Sequence, residues 1–153
     1  MHTDPAAETE TIRATLARVA AALDRRDWEE LREHFTDDTH AYGARGVDAL
    51  VRQTQAFLGG VGPSQHLLGN HRVTVDGDTA RSLTYGRVHH VGTGPMTGSS
   101  YECLGEYDDH WVRTGQGWQI SRRSFRIDIE IGDRAVLRPA GPDHGPDHGP
   151  EPA

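Results

Sequence analysis

The spacing of apolar residues changes at Pro63, and this change constrains the fold more than any other feature of the sequence. Before Pro63, apolar side chains recur at helical spacing, for example at Ile12, Leu16 and Val19. After it, strand-like segments alternate apolar and polar residues and are separated by turn residues. A run of helices followed by a run of strands is typical of the α+β class, in which helices cover one face of a sheet.

Three helices are predicted in the first part of the chain. The first spans about residues 5–24, with Asp4 as its N-cap and a proline at its first position. Asp27 can cap a second, short helix within the segment RRDWEELREHF. A brief strand then ends at Gly43, and the third helix spans about residues 47–58 before a glycine pair.

Two hairpins of long strands are predicted in the second part. Their turns lie at residues 76–78 and 115–117, where glycine stands among turn-forming residues. In the last strand the large apolar residues occupy even-numbered positions up to Ile120 and odd-numbered positions from Phe125 onward. Because one unbroken pleat cannot bury both sets, we predict a bulge near residues 122–124.

These elements predict one domain over residues 1–138, followed by a tail. We expect a cone-shaped α+β barrel, in which three N-terminal helices pack on a curved antiparallel sheet and enclose a pocket. Residues 139–153 repeat Gly, Pro, Asp and His and contain no apolar anchor beyond alanine. We therefore interpret this segment as a disordered tail.

Charge and cysteine content restrict the partners and the compartment. The net charge of −7, with arginines scattered among acids, argues against nucleic acid and against a membrane surface. Cys103 is the only cysteine and the acidic N-terminus lacks the apolar core of a signal peptide, so we expect a cytoplasmic protein. We expect no metal and no cofactor, because the sequence has neither a His-Glu-x-x-His motif nor a cysteine pair.

The segment PSQHLLGNH, residues 63–71, places polar side chains among apolar ones on a predicted strand. Side chains two apart share a face of a strand, so His66 and Asn70 are expected on the same side as Leu68. Imidazole titrates near neutral pH and suits proton transfer, particularly beside a carboxylate. A single strand histidine is more often structural, but the apolar neighbours of His66 favour it as a pocket residue.

Four segments resemble SnoaL-like proteins of the nuclear transport factor 2-like superfamily: LDRRDWEELREHFTDD, SQHLLGN, YGRVHHVG and EYDDHWVRTGQGWQISRR. The resemblance covers residues 10–131, and among enzymes it is nearest to scytalone dehydratase and bile-acid dehydratase-like proteins. It implies that catalysis uses an aspartate, a tyrosine and two strand histidines. On this chain these positions are Asp24, Tyr42, His66 and His90, with His89 as an open alternative to His90.

The resemblance also implies a set of substrate-binding residues. A second tyrosine of scytalone dehydratase is replaced here by Leu23. Its serine and asparagine on the third long strand are replaced by Glu106 and Asp108. If the register differs, the replacements are Tyr107 and Asp109. The predicted substrate-binding residues are Asn70, Trp28, Tyr107, Glu106, Asp108 and Phe125.

The implied function is cofactor-independent acid–base catalysis by a dehydratase, isomerase or cyclase. Its substrate would be a small oxygenated ring compound, as in polyketide-type secondary metabolism. His66, polarised by Asp24, would move a proton. Tyr42 and His90 would hydrogen-bond a carbonyl or a leaving hydroxyl group.

Two alternatives remain open. One is a non-catalytic module for ligand binding or dimerisation. The other is an epoxide hydrolase of the limonene-epoxide hydrolase type, for which residues 126–128 offer Arg and Asp at suitable spacing, but on the wrong strand. The resemblance further implies a homodimer through the exposed sheet face, where Trp111, Trp118 and Tyr107 could pack.

Overall fold

The structure is a computed structural model that describes residues 3–137, so the predicted tail at 139–153 lies outside the described residues. The helices are α1 (Pro5–Arg25), α2 (Trp28–Glu33) and α3 (Val47–Leu58). The strands are β1 (Phe35–Ala41), β2 (Ala44–Arg45), β3 (Ser64–Asp76), β4 (Thr79–Val91), β5 (Ser100–Thr114) and β6 (Gly117–Gly132). Single 3-10 turns occur at Gly94–Met96 and Arg134–Leu137.

The helices begin and end at the residues that carry capping signals. The Asp4 carboxylate accepts a hydrogen bond from the backbone of Ala6, and Asp27 accepts one from the backbone of Glu30. Arg26 ends α1 in the left-handed conformation, with φ of 58°. The predicted three helices are therefore confirmed.

The six strands form one sheet in the order β2-β1-β6-β5-β4-β3. All pairings are antiparallel except β1–β6, which is parallel, so the sheet is mixed and the expectation of a purely antiparallel sheet needs this correction. β1 is separated from its partner β6 by α3 and three long strands, and no local turn signal reveals such a pairing. Within residues 3–137 the sheet curves around the helices without closing, and the α+β class is confirmed.

The sheet contains bulges that change which side chains face the helices. In β6 the pairing register shifts at Ser121, one residue before the predicted position, and again at Asp128. In β3 the register shifts between Gly69 and Arg72. Asn70 lies in this bulge with φ of 51° and its side chain is exposed, so the prediction that it shares a face with His66 was wrong.

The core lies between the helices and the inner face of the sheet. Ile12 and Leu16 of α1 and Leu50 of α3 pack there with Trp111 and Ile120, and all five are almost fully buried. No helix in the described part of the chain is both long and apolar enough to cross a membrane.

The aromatic residues that were expected on the dimer surface are also buried in this core. Trp111 donates a hydrogen bond to Ser82 at 2.9 Å, and Trp118 donates one to Glu8 of α1. Tyr107 stacks on Phe125 inside the sheet. These three side chains therefore cannot form an external contact: Tyr107 and Trp111 lie on the inward, odd-numbered face of β5, and Trp118 of β6 faces α1.

Candidate active site

A cavity of about 120 Å³ lies between the inner face of the sheet, α3 and the turn at residues 134–137. Its wall is mainly apolar and aromatic, and α3 adds Gln53 and Thr54. The volume is below the roughly 300–1,000 Å³ of pockets for drug-sized ligands. A cavity of this size fits a compound with a single ring.

Asp24 and His66 form a hydrogen-bonded pair at one side of the cavity. The distance between His66 Nδ1 and Asp24 Oδ1 is 2.6 Å, and the backbone N–H of His66 donates to Asp24 Oδ2 at 3.0 Å. Burial raises the pKa of the Asp24 carboxyl, but the hydrogen bonds from His66 outweigh burial and the pKa is lowered. Asp24 is therefore an ionised acceptor that fixes the orientation of the imidazole.

Arg26 supports this pair through Ser64. The guanidinium donates to Ser64 Oγ at 2.8 Å, and Ser64 Oγ donates to Asp24 Oδ1 at 3.2 Å. Because a guanidinium can only donate, the serine hydroxyl hydrogen is directed toward the carboxylate. Arg26 also donates to the backbone carbonyls of Leu58 and Gly62, so it joins the ends of α1 and α3 to the start of β3.

His90 lies beside His66 in the cavity wall, and the two rings are edge to face with their centroids 6.3 Å apart. Its Nδ1 donates to the backbone carbonyl of Tyr101 at 3.1 Å, and its ring stacks on that tyrosine. Burial lowers the pKa of His90 to about 4. His89 faces the other side of β4 and pairs with Glu102 at 3.0 Å, so of the two histidines His90 is the one in the cavity.

Tyr42 contributes a hydroxyl group at the base of the cavity. It follows β1 in a left-handed conformation, and its carbonyl accepts a hydrogen bond from Gln53 at 2.9 Å. Burial raises the pKa of the Tyr42 hydroxyl, although the positive charge of Arg123 opposes this effect. Tyr42 is therefore a neutral hydrogen-bond donor near neutral pH.

A buried ion pair lies behind Tyr42. Arg123 donates to both carboxylate oxygens of Asp109, at 2.6 and 2.9 Å, and both side chains are almost fully buried. The guanidinium carbon of Arg123 lies 4.4 Å from the centroid of the Tyr107 ring. This bidentate pair places a positive charge beside two tyrosine side chains of the cavity.

The structure brings six of the predicted site residues together at this cavity. These are Asp24, Tyr42, His66, His90, Tyr107 and Phe125, with Asp24 reaching the cavity through His66. Tyr107 and Phe125 stack with their ring centroids 4.3 Å apart.

The other four predicted substrate-binding residues lie elsewhere, so their assignment to the pocket was wrong. Asn70 is exposed in the bulge of β3, and Trp28 lines a separate open groove among arginines of α1 and α2. Glu106 and Asp108 pair with arginines on the outer face of the sheet, because β5 turns its even-numbered residues outward. Arg126 and Asp128, the residues on which the epoxide hydrolase alternative depends, form an exposed pair and do not line the cavity.

Sequence reasoning missed several cavity residues, among them Tyr101 and Cys103. A signal for both exists in the strand pairing, because residues directly opposite each other in antiparallel strands share a face. His90 is opposite Tyr101 and Val88 is opposite Cys103. Residues 3–137 contain no cluster of three His, Cys, Asp or Glu side chains that could hold a metal ion.

Comparison with known proteins identifies the family of this chain and supports its fold. The sequence model of the SnoaL-like domain matches residues 4–124. The chain belongs to the SnoaL-like domain family. This SnoaL-like domain is 35% identical over 118 residues to the uncharacterised protein Rv2910c of Mycobacterium tuberculosis, which covers 73% of this chain and 80% of that protein.

Solved structures of the same fold have lower sequence identity. A candidate scytalone dehydratase from Novosphingobium aromaticivorans has a TM-score of 0.77 and 21% identity, covering 90% of this chain and 96% of that one. A hexachlorocyclohexane dehydrochlorinase of LinA type 2 has a TM-score of 0.74 and 16% identity, covering 92% and 94%. A candidate dehydratase of the NTF2-like family from Streptomyces avermitilis has a TM-score of 0.74 and 18% identity, covering 82% and 99%. The resemblance to the nuclear transport factor 2-like fold is thus confirmed.

Proposed function

We propose that this SnoaL-like domain is an acid–base enzyme that removes a proton from a small oxygenated ring compound. Dehydration is the reaction we favour, with isomerisation or cyclisation by the same base as related outcomes. The observation that carries the proposal is the 2.6 Å contact between Asp24 and His66 at a small, mainly apolar cavity. The similar structures named as a dehydratase and a dehydrochlorinase support it, because both names describe eliminations.

His66 acts as the base in this mechanism. The ionised Asp24 accepts a hydrogen bond from Nδ1–H of His66, so an imidazole in this tautomer carries its lone pair on Nε2. When Nε2 takes a proton from a ring carbon, the carboxylate stabilises the imidazolium that forms. The side chain of His66 is only 7% exposed, which strengthens this electrostatic stabilisation.

Tyr42 acts as the acid. As the carbon–oxygen bond of the substrate breaks, the departing oxygen takes the hydroxyl proton of Tyr42 and leaves as water. The positive charge of Arg123 favours the tyrosinate that forms and offsets part of the opposing effects of burial and of the Asp109 charge, which raise the pKa of Tyr42. The imidazolium of His66 and the tyrosinate then return to their resting forms by proton exchange with water.

The proposal can be tested with 3-hydroxycyclohexanone and related single-ring β-hydroxy ketones in D₂O. We expect the protein to accelerate deuterium uptake beside the carbonyl, or loss of water, as followed by NMR. His66→Ala should reduce the rate by about 100-fold or more, which is the usual contribution of a general base. His89→Ala is the matched control, since His89 faces the opposite side of β4.

Two outcomes would contradict the proposal. A His66→Ala variant that keeps the wild-type rate would exclude this imidazole as the base. Probes that bind to the wild-type protein but are recovered without deuterium and without loss of water would favour the non-catalytic binding module.

We also propose that two copies pair through the outer face of the sheet. Leu67, Leu104 and Ile129 belong to one row of directly opposed residues across β3, β4, β5 and β6. Leu67 is 61% exposed, Ile129 53% and Ile131 55%. A group of exposed large apolar side chains on one surface is typical of a protein–protein contact. A cytoplasmic location remains a prediction from the sequence.

A further inference from the structure

The direction of the hydrogen bond between His90 and Tyr101 defines where the imidazole carries its proton. A backbone carbonyl can only accept, so Nδ1, at 3.1 Å from it, must be the donor. The ring is also held by stacking on the Tyr101 side chain, with centroids 5.7 Å apart and planes 21° apart. A neutral imidazole has one N–H group, so Nε2 of His90 presents a lone pair.

The surroundings of His90 keep the imidazole neutral. The residue is buried, with 4% exposure, and the nearby Arg26 and His66 disfavour a positive charge on the His90 ring. Burial is the largest cause of the lowered pKa of His90, about 4. Near neutral pH the ring therefore offers an acceptor at Nε2 and does not donate from it.

No group among residues 3–137 donates a hydrogen bond to Nε2 of His90. The hydroxyl group of Tyr101, whose ring stacks on His90, donates instead to Glu130 at 2.6 Å. The cavity wall beside the ring is formed by Val88 and by Cys103, a residue that is itself buried. A ligand that occupies the cavity without a donor would leave this acceptor unpaired and away from water, which is unfavourable.

From this arrangement we infer that His90 is a specificity-determining residue that accepts a hydrogen bond from a substrate hydroxyl group and rejects a carbonyl or ether oxygen at that position. The inference deepens the proposed function and rests on it for the reaction. Of the two roles predicted for His90, a hydrogen bond to a carbonyl or to a leaving hydroxyl group, it favours the second, because an Nδ1–H tautomer has no proton to give from Nε2.

The two imidazoles together define a substrate class. His66 and His90 both line the cavity, and each ring bonds to the protein through Nδ1, so Nε2 is the nitrogen left for a ligand. The ligand therefore needs a removable C–H at His66 and a hydroxyl group at His90. Ring alcohols and phenols meet this requirement. Rings whose oxygens are all carbonyl or ether groups do not.

The first experiment compares phenol with anisole, its methyl ether, as probes that fit a single-ring cavity. We expect the wild-type protein to bind phenol about tenfold more tightly than anisole in NMR titrations, which is the usual value of one hydrogen bond to a buried acceptor. His90→Leu should remove this preference by weakening phenol alone. His90→Gln restores an acceptor near the position of Nε2 and should recover part of the preference for phenol over anisole.

Matched variants identify which acceptor is responsible. His89→Leu should keep the preference for phenol, because His89 lies on the outer face. His66→Ala should also keep it while losing the proton-transfer activity, so failure of this inference and failure of the proposed function are distinguishable. Equal binding of phenol and anisole by the wild type, or a preference that survives in His90→Leu, would overturn the inference.

A second measurement needs no variant and therefore does not depend on whether His90→Leu folds. Two-bond ¹H–¹⁵N correlation spectra of the uniformly labelled protein at about pH 7 report the tautomer of each histidine. We expect His90 as the neutral Nδ1–H form. An Nε2–H tautomer or an imidazolium would refute the assignment of His90 as an acceptor.

Discussion

At the scale of single residues, His90 links the chemistry of the cavity to the stability of the protein. Its pKa is about 4 when folded, whereas the ordinary value is 6.5. Between these values the unfolded chain binds a proton at this position and the folded protein does not, so stability falls as the pH decreases from 6.5 to 4. This difference in pKa lowers the free energy of unfolding by about 3 kcal/mol over the whole pH range.

We therefore predict that His90→Gln makes the free energy of unfolding less dependent on pH across this window. The measurement is urea unfolding of the wild type and the variant at several pH values between about 4 and 7. Other buried histidines with a lowered pKa, such as His34, contribute equally to both proteins and cancel. Parallel pH profiles for the two proteins would show that His90 titrates normally.

The sequence was informative for those site residues that combine a distinctive neighbourhood with a family resemblance. His66 stands among apolar residues, and Asp24 lies near the end of a helix with clear caps, so their contact could be predicted. Asp109 and Arg123 could not be predicted as a buried pair. Alternation along β5 defines two faces, but only the packing against the helices decides that the odd-numbered face is buried.

At the scale of secondary-structure elements, Arg26 joins three parts of the fold. We predict that Arg26→Met, which keeps the apolar stem but removes every guanidinium hydrogen bond, lowers the free energy of unfolding by roughly 2–4 kcal/mol. Urea unfolding provides the measurement. Arg25→Met is the control, because Arg25 is exposed and its pair with Glu30 should contribute about 1 kcal/mol or less. Equal losses for both variants would contradict this role of Arg26.

The ends of helices were predictable where capping residues define them. The pairing of strands was predictable only where a turn joins the two strands. Asp4 and Asp27 cap their helices as expected, and both hairpin turns lie where glycine and aspartate or glutamine indicated them. The parallel pairing of β1 with β6 has no such local signal. Its two strands are separated along the chain by α3 and three long strands.

At the scale of the whole molecule, the proposed pairing of two copies through the outer face of the sheet can be tested by sedimentation. We predict that the wild type sediments as a dimer at micromolar concentration and that Ile129→Arg sediments as a monomer, because the charge would be buried without a partner. Thr74→Arg is the control, since Thr74 is exposed on the same face of the sheet but at its charged end. A monomeric wild type, or equal effects of the two substitutions, would exclude this surface as the interface.

The bulge at Asn70 divides β3 into two parts whose inward side chains have different neighbours. On one side of it, His66 and Leu68 point inward, toward the cavity and the packing beside it; on the other, Val73 and Val75 pack against the core. Substitution of His66 therefore changes the cavity, while Val73 and Val75 keep the second part of the strand packed on the core. A laboratory that wishes to redirect this scaffold to new compounds can vary His66 and keep Ser64, which bonds to Asp24 and Arg26, together with the segment after the bulge.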